Sequence, residues 1–505
     1  MKAPLRFAIL YERKLILLLC AIGALRVFIF SAAFPFFNNV DEQAHVDLVM
    51  KYARGHVPRD LGQYSSESAY YISLYGTPEF FMAPQQFETK DFPPPNWMLP
   101  AEQRDDVVKR NSDWWRSNQN HESGEPPLYY ALAGLWLNLG RVSGITGGWL
   151  LYWVRFLNMF VAAALVWVGF VAAKLVFPDR QFMRLSVPLL LAVWPQTAFY
   201  SIQSDVLSPL CFGVAFVALI KFLQAEQPTL YLALLLGLAL AATCLVKFGN
   251  VPLLAVALGA ATFKVRQLAR TRRLPAIIGS LSLLMFSVTL PIALWFVWNV
   301  QTFGDLTATA AKIEFLGWTR KPITSWLPHP IFSFRGLKEF WPELVASFWR
   351  GELLWHGRRL ASHLSDVFYW VSSTAAIGFT VATLVRRDTQ INLRQRSNLW
   401  LALLSFAVLV VSTVLLSISF DYGECVYPSR EHPYFTSGRL LSAAAVPFFL
   451  FYAQTIDALL SPIRRLPLRG LVFGGIVLFI VVSEIILSWP AFSSHYNLFH
   501  FNKAQ

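Results

Sequence analysis

Residues 15–50 read LILLLCAIGALRVFIFSAAFPFFNNVDEQAHVDLVM, and this stretch decides the fold. Its first 23 residues are apolar except for Arg26 and Ser31. A helix needs roughly 20 such residues to cross the ~30 Å hydrocarbon core of a bilayer. An acidic pair, Asp41-Glu42, follows at once, with His45 one helical turn after Asp41. The stretch therefore predicts a membrane span that ends at a group of polar side chains.

The composition of the whole chain agrees with this stretch. The 505 residues are 55% hydrophobic and only 14% charged, whereas soluble domains carry about 25% charged residues. So little charge excludes both a soluble surface and intrinsic disorder. We predict an all-α fold, a polytopic transmembrane helical bundle with eleven spans: 15–37, 149–173, 185–200, 206–223, 230–246, 251–263, 276–299, 366–385, 397–419, 440–458 and 470–489.

The distribution of Lys and Arg predicts the orientation. Short cytoplasmic loops are enriched in both residues, and one set of loops carries twenty basic and four acidic residues: 1–14, 174–184, 221–229, 264–273, 386–396 and 461–469. The N-terminus is then cytoplasmic, provided that the apolar segment 127–140 does not span. We predict that 127–140 is an interfacial helix of the outer leaflet, anchored by Tyr129, Tyr130 and Trp136. The net charge of +13 is then explained by the basic residues of the cytoplasmic loops. Because these residues are divided among short loops, no nucleic-acid partner is expected.

Two acids lie at the predicted outer ends of spans. Asp41 begins a predicted amphipathic helix over 41–54, and Asp205 stands in FYSIQSDVLSP before the fourth span. Acids at a membrane surface can serve as a general base and as substrate or metal ligands. The alternative for each is an ordinary helix cap.

Three cations lie on the same predicted side: Lys247 in TCLVKFGN, Arg439 in PYFTSGRLLS and Arg155 in YWVRFLNMF. Such cations can hold a phosphate group, and the alternative is a Lys or Arg that snorkels to the interface. The loop 300–365 is rich in Trp and Arg, and we predict an interfacial helix over 341–355 or a lid resting on the membrane. Acids and cations beside hydrocarbon suit a phosphorylated lipid whose headgroup undergoes chemistry.

The layout resembles that of the GT-C membrane glycosyltransferases. The resemblance rests on DE-x-x-H after the first span (41–45), EPPLYY (125–130), Arg155, Asp205 and Lys247. It also rests on SFWRGELLW (347–355) and SGRLL (437–441). Proteins similar to protein O-mannosyltransferases and lipid A aminoarabinose transferases share the first half of this layout.

The resemblance implies an inverting enzyme that moves a sugar from a polyprenyl-phosphate donor to an acceptor hydroxyl. It implies that Asp41 is the base, that Glu42 supports it or helps to bind a metal, and that Asp205 orients a substrate. Lys247 and Arg439 would contact the phosphate, and we group His45 and Arg155 with them as substrate-binding residues. No cofactor is specified. A divalent cation such as Mg²⁺ or Mn²⁺ on Asp41, Glu42 and His45 is the option we retain.

The resemblance also implies a site on the periplasmic face of a bacterial inner membrane. The acceptor would be a glycan, lipid or protein, as in the synthesis of cell-envelope glycans such as lipopolysaccharide. We expect three regions: a catalytic module over 1–300 that includes the outer loop 38–148, a Trp- and Arg-rich loop over 301–365, and C-terminal helices over 366–505 without a soluble domain.

Two other functions stay open at this point. One is a polysaccharide polymerase or ligase that relies on the loop residues Arg430 and His432. The other is a lipid or glycan transporter, which is disfavoured because the spans hold few charges and the chain has no internal repeat.

Overall fold

The computed structural model describes residues 3–37, 41–270, 278–386, 391–425, 427–463 and 466–504. Parts of the predicted loops 1–14, 38–148, 264–273, 386–396 and 461–469 and the start of the predicted span 276–299 lie outside these ranges. The described residues form seventeen α-helices: α1 Ala3–Ala33, α2 Glu42–Ala53, α3 Ser66–Tyr75, α4 Ala101–Ser117, α5 Leu128–Val142, α6 Gly147–Val176, α7 Gln181–Ala192, α8 Ser208–Gln224, α9 Leu230–Val246, α10 Pro252–Arg270, α11 Ile278–Phe303, α12 Thr309–Phe315, α13 Phe334–Arg350, α14 His363–Val385, α15 Leu393–Ser419, α16 Ala445–Leu460 and α17 Leu466–Ser493.

Sheet structure within the described ranges is confined to four two-residue strands: β1 Thr319–Arg320, β2 Leu354–Trp355, β3 Arg358–Arg359 and β4 Phe420–Asp421. Strands β1 and β4 pair antiparallel, and β2 and β3 form a hairpin in which Trp355 pairs with Arg358. The two loop residues of this hairpin, His356 and Gly357, both have positive φ, as a tight type I′ turn requires. The prediction of an all-helical bundle is therefore confirmed.

Nine helices of the described residues are long and apolar enough to cross a membrane: Tyr11–Ala33, Gly147–Val176, Ser204–Gln224, Phe248–Arg270, Ile278–Phe303, His363–Val385, Leu393–Ser419, Gly438–Leu460 and Leu468–Phe501. Two shorter apolar helices, Gln181–Ala192 and Leu230–Val246, coincide with the other two predicted spans. Each of the eleven predicted spans therefore corresponds to a helix. The chain is a multi-pass membrane protein.

Two predicted spans have the wrong ends. The span predicted over 185–200 ends as a helix at Ala192, because Pro195 disfavours helical backbone at Trp194 before it. The span predicted over 251–263 continues to Arg270, because Lys and Arg lower hydropathy without opposing helix formation. Hydropathy locates the apolar part of a helix but does not locate its ends.

Helix α5 covers the predicted interfacial segment 127–140, but its aromatic residues do not act as predicted. Tyr129 and Tyr130 are buried inside the protein. Trp136 stacks on Trp153 with ring centroids 4.3 Å apart, and each indole N–H donates to the other residue's carbonyl. The exposed face of α5 is apolar and is formed by Leu132, Leu135, Leu139 and Val142. The membrane-facing side of α5 is therefore aliphatic, because its aromatic side chains fix it to α2 and α6.

The helices have two distinct ends. We call the end that carries α2–α5, α12 and α13 the loop side. The opposite end, here the basic side, joins helices through ion pairs such as Glu12 with Arg184 at 2.6 Å and Asp457 with Arg180 and Arg469. On the loop side, α13 begins seven residues before the predicted interfacial helix and ends at Gly351, whose φ is 78°. The remainder of that predicted helix, 351–355, is not helical and ends in β2, the first strand of the β2–β3 hairpin.

A buried polar group connects helices inside the bundle. Arg26 of α1 pairs with Glu484 of α17, with its Nη1 2.6 Å from the carboxylate, and both side chains contact the Tyr200 hydroxyl. The Arg26 Nε also donates to the Ala192 carbonyl at the end of α7. Ionisable groups within a membrane protein are costly unless they are paired. This group therefore holds α1, α7 and α17 in one relative position.

Candidate functional site on the loop side

Asp41 lies at the entrance to α2 in a strained conformation. Its φ is 64°, in the left-handed region, and its carboxylate caps no helix N–H. The structure therefore does not support the capping alternative for Asp41. A non-glycine residue held in this region costs about 1–3 kcal/mol and persists only where its surroundings impose it. The backbone turn directs the Asp41 side chain into a cluster of charged groups.

His121 joins Asp41 to a second acid. The His121 Nε2 lies 3.3 Å from Asp41 Oδ1 and 3.3 Å from Glu122 Oε1. Burial alone lowers the pKa of His121, but the hydrogen bonds and charges of Asp41 and Glu122 raise it to about 9. Burial alone raises the pKa of Asp41. The hydrogen bond from His121 and the charge of Arg439 act in the opposite direction, and the net effect is a pKa below the usual range of an aspartate. His121 is therefore protonated at pH 7 and supplies a positive charge between the two carboxylates.

Lys312 of α12 completes this half of the cluster. Its Nζ lies 2.7 Å from Glu122 Oε1 and 3.6 Å from Glu125 Oε1. The pKa of Glu125 is raised, first by burial and then by the nearby charge of Glu122. The loop over residues 120–127 therefore presents two acids of unlike pKa beside Asp41.

Arg439 links Asp41 to the acids of the other half. Its Nη2 lies 3.6 Å from Asp41 Oδ2, its Nη1 3.7 Å from Asp205 Oδ2 and its Nε 3.7 Å from Glu352 Oε2. These distances exceed those of direct hydrogen bonds, about 2.7–3.2 Å. Its closest contact here is the Nη1 bond to Gln203 Oε1 at 3.1 Å. The Nη2 donors of Arg439 are thus positioned to bind a further anion.

Lys247 and Asp205 form the tightest pair of this half. The Lys247 Nζ lies 2.7 Å from Asp205 Oδ2, and the Asp205 side chain is 1% exposed. Lys247 is the residue that ends α9, and Asp205 lies in a short 3₁₀ helix before α8. The structure does not support the alternative roles of these two residues. The Asp205 side chain caps no helix, and Lys247 binds a carboxylate instead of snorkelling to the interface. Four predicted site residues, Asp41, Asp205, Lys247 and Arg439, therefore meet in one network.

A cavity of about 510 Å³ opens next to this network. At one end it is lined by charged groups, including His121, Glu125, Lys247 and Lys312. At the other end it is lined by apolar residues, among them Val251, which directly precedes α10, and Leu409 and Leu416 of α15. A cavity with these two ends suits an amphiphile with a charged headgroup and a hydrocarbon tail.

Two predicted site residues lie elsewhere. Arg155 and Glu42 are both 0% exposed and pair with each other, with Nε to Oε1 at 2.9 Å and Nη2 to Oε2 at 2.7 Å. Arg155 also donates to the carbonyls of Ser31, Phe34 and Pro35, while Glu42 accepts from the backbone N–H of Phe37 and Ile202. The predicted substrate and metal roles of this pair require accessible groups. The structure instead shows a buried ion pair that fixes the end of α1 to α2 and α6.

His45 also differs from its prediction as a metal ligand. Its Nδ1 lies 2.7 Å from the Tyr130 hydroxyl, within hydrogen-bond distance. Burial lowers the pKa of His45 to about 4, so the ring is neutral at pH 7. Within the described part of the chain, the group of residues that could hold a metal ion is Asp41, His121 and Glu122, whose ligand atoms lie within 4.8 Å of one another.

Sequence reasoning missed His121, Glu122, Lys312 and Glu352. A signal was present for the first two, because the segment NHESGEPP (120–127) concentrates His and Glu directly before the interfacial helix. Glu352 had a weaker signal within SFWRGELLW. Its Oε2 accepts from Ser437, and its Oε1 is buried without a hydrogen-bond partner among the described residues. Lys312 lies in α12, within the predicted loop 300–365, and no sequence motif around it indicated a site. Only the fold places it beside Glu122.

The fold and this site define a polytopic membrane protein with a charged cluster at the end of its helices. The chain belongs to the family described as predicted membrane protein (DUF2142), whose model matches residues 24–427. No curated protein matches the sequence.

Solved structures similar to this chain include two GT-C glycosyltransferases. A crystal structure of ArnT from Cupriavidus metallidurans bound to undecaprenyl phosphate is 10% identical, with a TM-score of 0.45 over 94% of this chain and 70% of ArnT. A crystal structure of the Archaeoglobus fulgidus oligosaccharyltransferase in complex with Zn and sulfate is 11% identical, with a TM-score of 0.46 over 95% of this chain. The chain spans only 53% of that oligosaccharyltransferase.

Proposed function

We propose that the protein is an inverting glycosyltransferase that moves a sugar from a polyprenyl-phosphate donor to an acceptor hydroxyl. The observation that carries the proposal is the cavity beside Asp41, whose lining combines Lys247, Lys312 and the Asp41 partner His121 with apolar residues that include Leu409 and Leu416 of α15. A donor of this class has the same two parts. We place the reaction on the periplasmic face of a bacterial inner membrane, because the loop side lies opposite the basic loops.

Asp41 is the base in this proposal. Its carboxylate accepts the proton of the acceptor hydroxyl while the acceptor oxygen attacks the anomeric carbon of the sugar. The bond between that carbon and the phosphate oxygen breaks, and polyprenyl phosphate leaves with the bonding electrons. The lowered pKa keeps Asp41 ionised, as a base must be, although it also weakens the base.

Lys247 and Arg439 stabilise the leaving phosphate. Among the described residues, the anionic partner of the Arg439 Nη2 donors is the distant Asp41 carboxylate, at 3.6 Å. Charged donors positioned at developing negative charge lower the barrier of such transfers. Asp205 positions Lys247 through their 2.7 Å contact, so its role is to orient a cation that faces the donor.

The cluster fits a divalent cation. Two carboxylates and one imidazole, from Asp41, Glu122 and His121, match the ligand preferences of Mn²⁺ or Zn²⁺ better than the all-oxygen preference of Mg²⁺. Binding would displace the proton of His121, because a ligating imidazole must be neutral, and the ion would supply positive charge next to the donor phosphate.

We expect Mn²⁺ to bind the purified protein and His121→Gln to weaken that binding by about tenfold or more, because one of three ligands is lost. Calorimetric titration with Mn²⁺ measures both constants. His432→Gln is the matched control, since His432 belongs to the exposed segment around Arg430. Equal Mn²⁺ affinity in the wild type and His121→Gln would exclude this metal site.

A direct test of the proposed function uses purified protein, polyprenyl-phosphate sugars labelled in the sugar, and a membrane extract as the source of acceptors. The expected result is label transferred to an extract component with release of unlabelled polyprenyl phosphate. Uptake of label into proteoliposomes without a covalent product would contradict the proposal and favour a transporter. Consumption of diphosphate-linked glycans alone would favour a polymerase or ligase.

A further inference from the structure

A second and larger cavity, of about 1200 Å³, lies between α10 and α15 towards the basic side. It shares no lining residue with the cavity beside Asp41. Towards the middle of the bundle its walls are aliphatic, with Ala255, Val256 and Val411 among them. At the basic side its walls are polar, and they include Lys264, Gln267, Arg394, Asn398 and Glu226. The cavity therefore changes from apolar to polar along its length, as one leaflet of a bilayer does from its acyl chains to its headgroups.

Lys264 is the most informative residue of this cavity. Its side chain is only 8% exposed, and it makes no hydrogen bond or ion pair with any residue of the described ranges. Glu226 attracts it only from a longer distance. Lys264 lies six residues before the end of α10, or about 9 Å at 1.5 Å per residue. A buried cation that has no partner among the described residues is costly, and burial against neighbouring helices distinguishes Lys264 from a snorkelling lysine.

The surrounding charge is positive. Helix α10 leads into residues 264–273, which hold five basic residues and no acid, and α15 begins within residues 386–396, which hold four basic residues and one acid. Arg394 adds an exposed guanidinium to the rim of the cavity, and Glu226 is the single carboxylate among its lining residues. Basic pockets of this kind between membrane helices bind anionic lipid headgroups.

Lipid can reach the cavity from the bilayer. Only 22% of the most apolar window of α10 is buried inside the protein, so this helix lies at the periphery of the bundle. Phe263 of α10 and Trp400 of α15 line the cavity and are also exposed at its edge. A lipid could therefore enter sideways, with its chains along the aliphatic walls.

We propose that this cavity binds an anionic phospholipid, whose phosphate contacts Lys264 and Arg394 and whose acyl chains lie between α10 and α15. The site is separate from the proposed catalytic centre and does not depend on the proposed reaction. Its occupancy would pair the buried Lys264 ammonium and fill the space between the two helices.

Native mass spectrometry of the purified, delipidated protein tests the proposal. The protein is titrated with phosphatidylglycerol and, separately, with phosphatidylcholine that has the same acyl chains. We expect phosphatidylglycerol to bind more tightly, and Lys264→Gln to reduce that preference about fivefold or more, the contribution of one lipid-contacting cation. Arg394→Gln, an exposed position that folding does not require, should reduce the preference as well.

Arg266→Gln is the matched control, because Arg266 lies on the same helix, is exposed and does not line the cavity. It should keep the wild-type preference. Equal preference in the wild type, Lys264→Gln and Arg394→Gln would overturn the proposal. Displacement of bound phosphatidylglycerol by an equimolar amount of polyprenyl phosphate would also overturn it, because the cavity would then hold the tail of the donor.

Discussion

Asp41→Asn is expected to reduce sugar transfer by about 10²–10⁴-fold, the usual contribution of a general base. The amide cannot accept the proton of the acceptor hydroxyl, yet it has the size of the carboxylate. Asn also tolerates left-handed backbone better than most residues, so the φ of 64° at this position does not oppose folding. Initial rates with a labelled polyprenyl-phosphate sugar measure the loss, and a thermal melt in detergent checks the fold.

Asp421→Asn is the control for this variant. Asp421 is also an acid of the loop side, but it is more than a third exposed and pairs with the exposed Arg430 at 2.9 Å. Its loss should leave the rate near that of the wild type. Full activity of Asp41→Asn would contradict the assignment of the base. Loss of activity at Arg430 with normal activity at Asp41 would favour the polymerase or ligase.

Arg155→Ala is expected to destabilise the protein strongly, by about 3–5 kcal/mol of the free energy of unfolding. The substitution leaves the Glu42 carboxylate buried without its cation, and three carbonyls of residues 31–35 lose their donor. A fall in the thermal midpoint, together with poor recovery from the membrane, measures this effect. The prediction contrasts with Asp41→Asn, which should lower activity and preserve stability.

Arg335→Ala provides the comparison for Arg155→Ala. Arg335 forms an exposed pair with Glu339 one helical turn away, and such pairs contribute little to stability. Its thermal midpoint should therefore stay at the wild-type value. If Arg155→Ala kept its thermal midpoint and only weakened donor binding, Arg155 would be a substrate-binding residue, as its sequence context predicts, and the structural role would be wrong.

The candidate site was predictable in part. Asp41, Asp205, Lys247 and Arg439 were selected because charges near hydrocarbon are rare and costly, and the structure gathers all four. His45 was expected to join Asp41, since helical spacing puts i and i+4 on one face, and Glu42 was expected there as the second member of the acidic pair. The left-handed backbone at Asp41 turns its carboxylate away from this face. Glu42 is then left to pair with Arg155, and His45 contacts Tyr130.

The positions of the apolar helices follow from the amino-acid sequence alone, because the length of an apolar run is a local property that a bilayer tests directly. Nine of the eleven predicted spans form described helices long enough to cross a membrane, whereas Gln181–Ala192 and Leu230–Val246 are shorter. The charge asymmetry between loops is likewise local, and it predicts the orientation. The meeting of His121, Lys312 and Glu352 with Asp41 has a different origin. These residues are far apart in the chain, and only the packing of α2, α5, α12 and α13 around the ends of the spans brings their side chains together. Local composition thus sets the spans, whereas contacts between distant helices set which charged groups can act together.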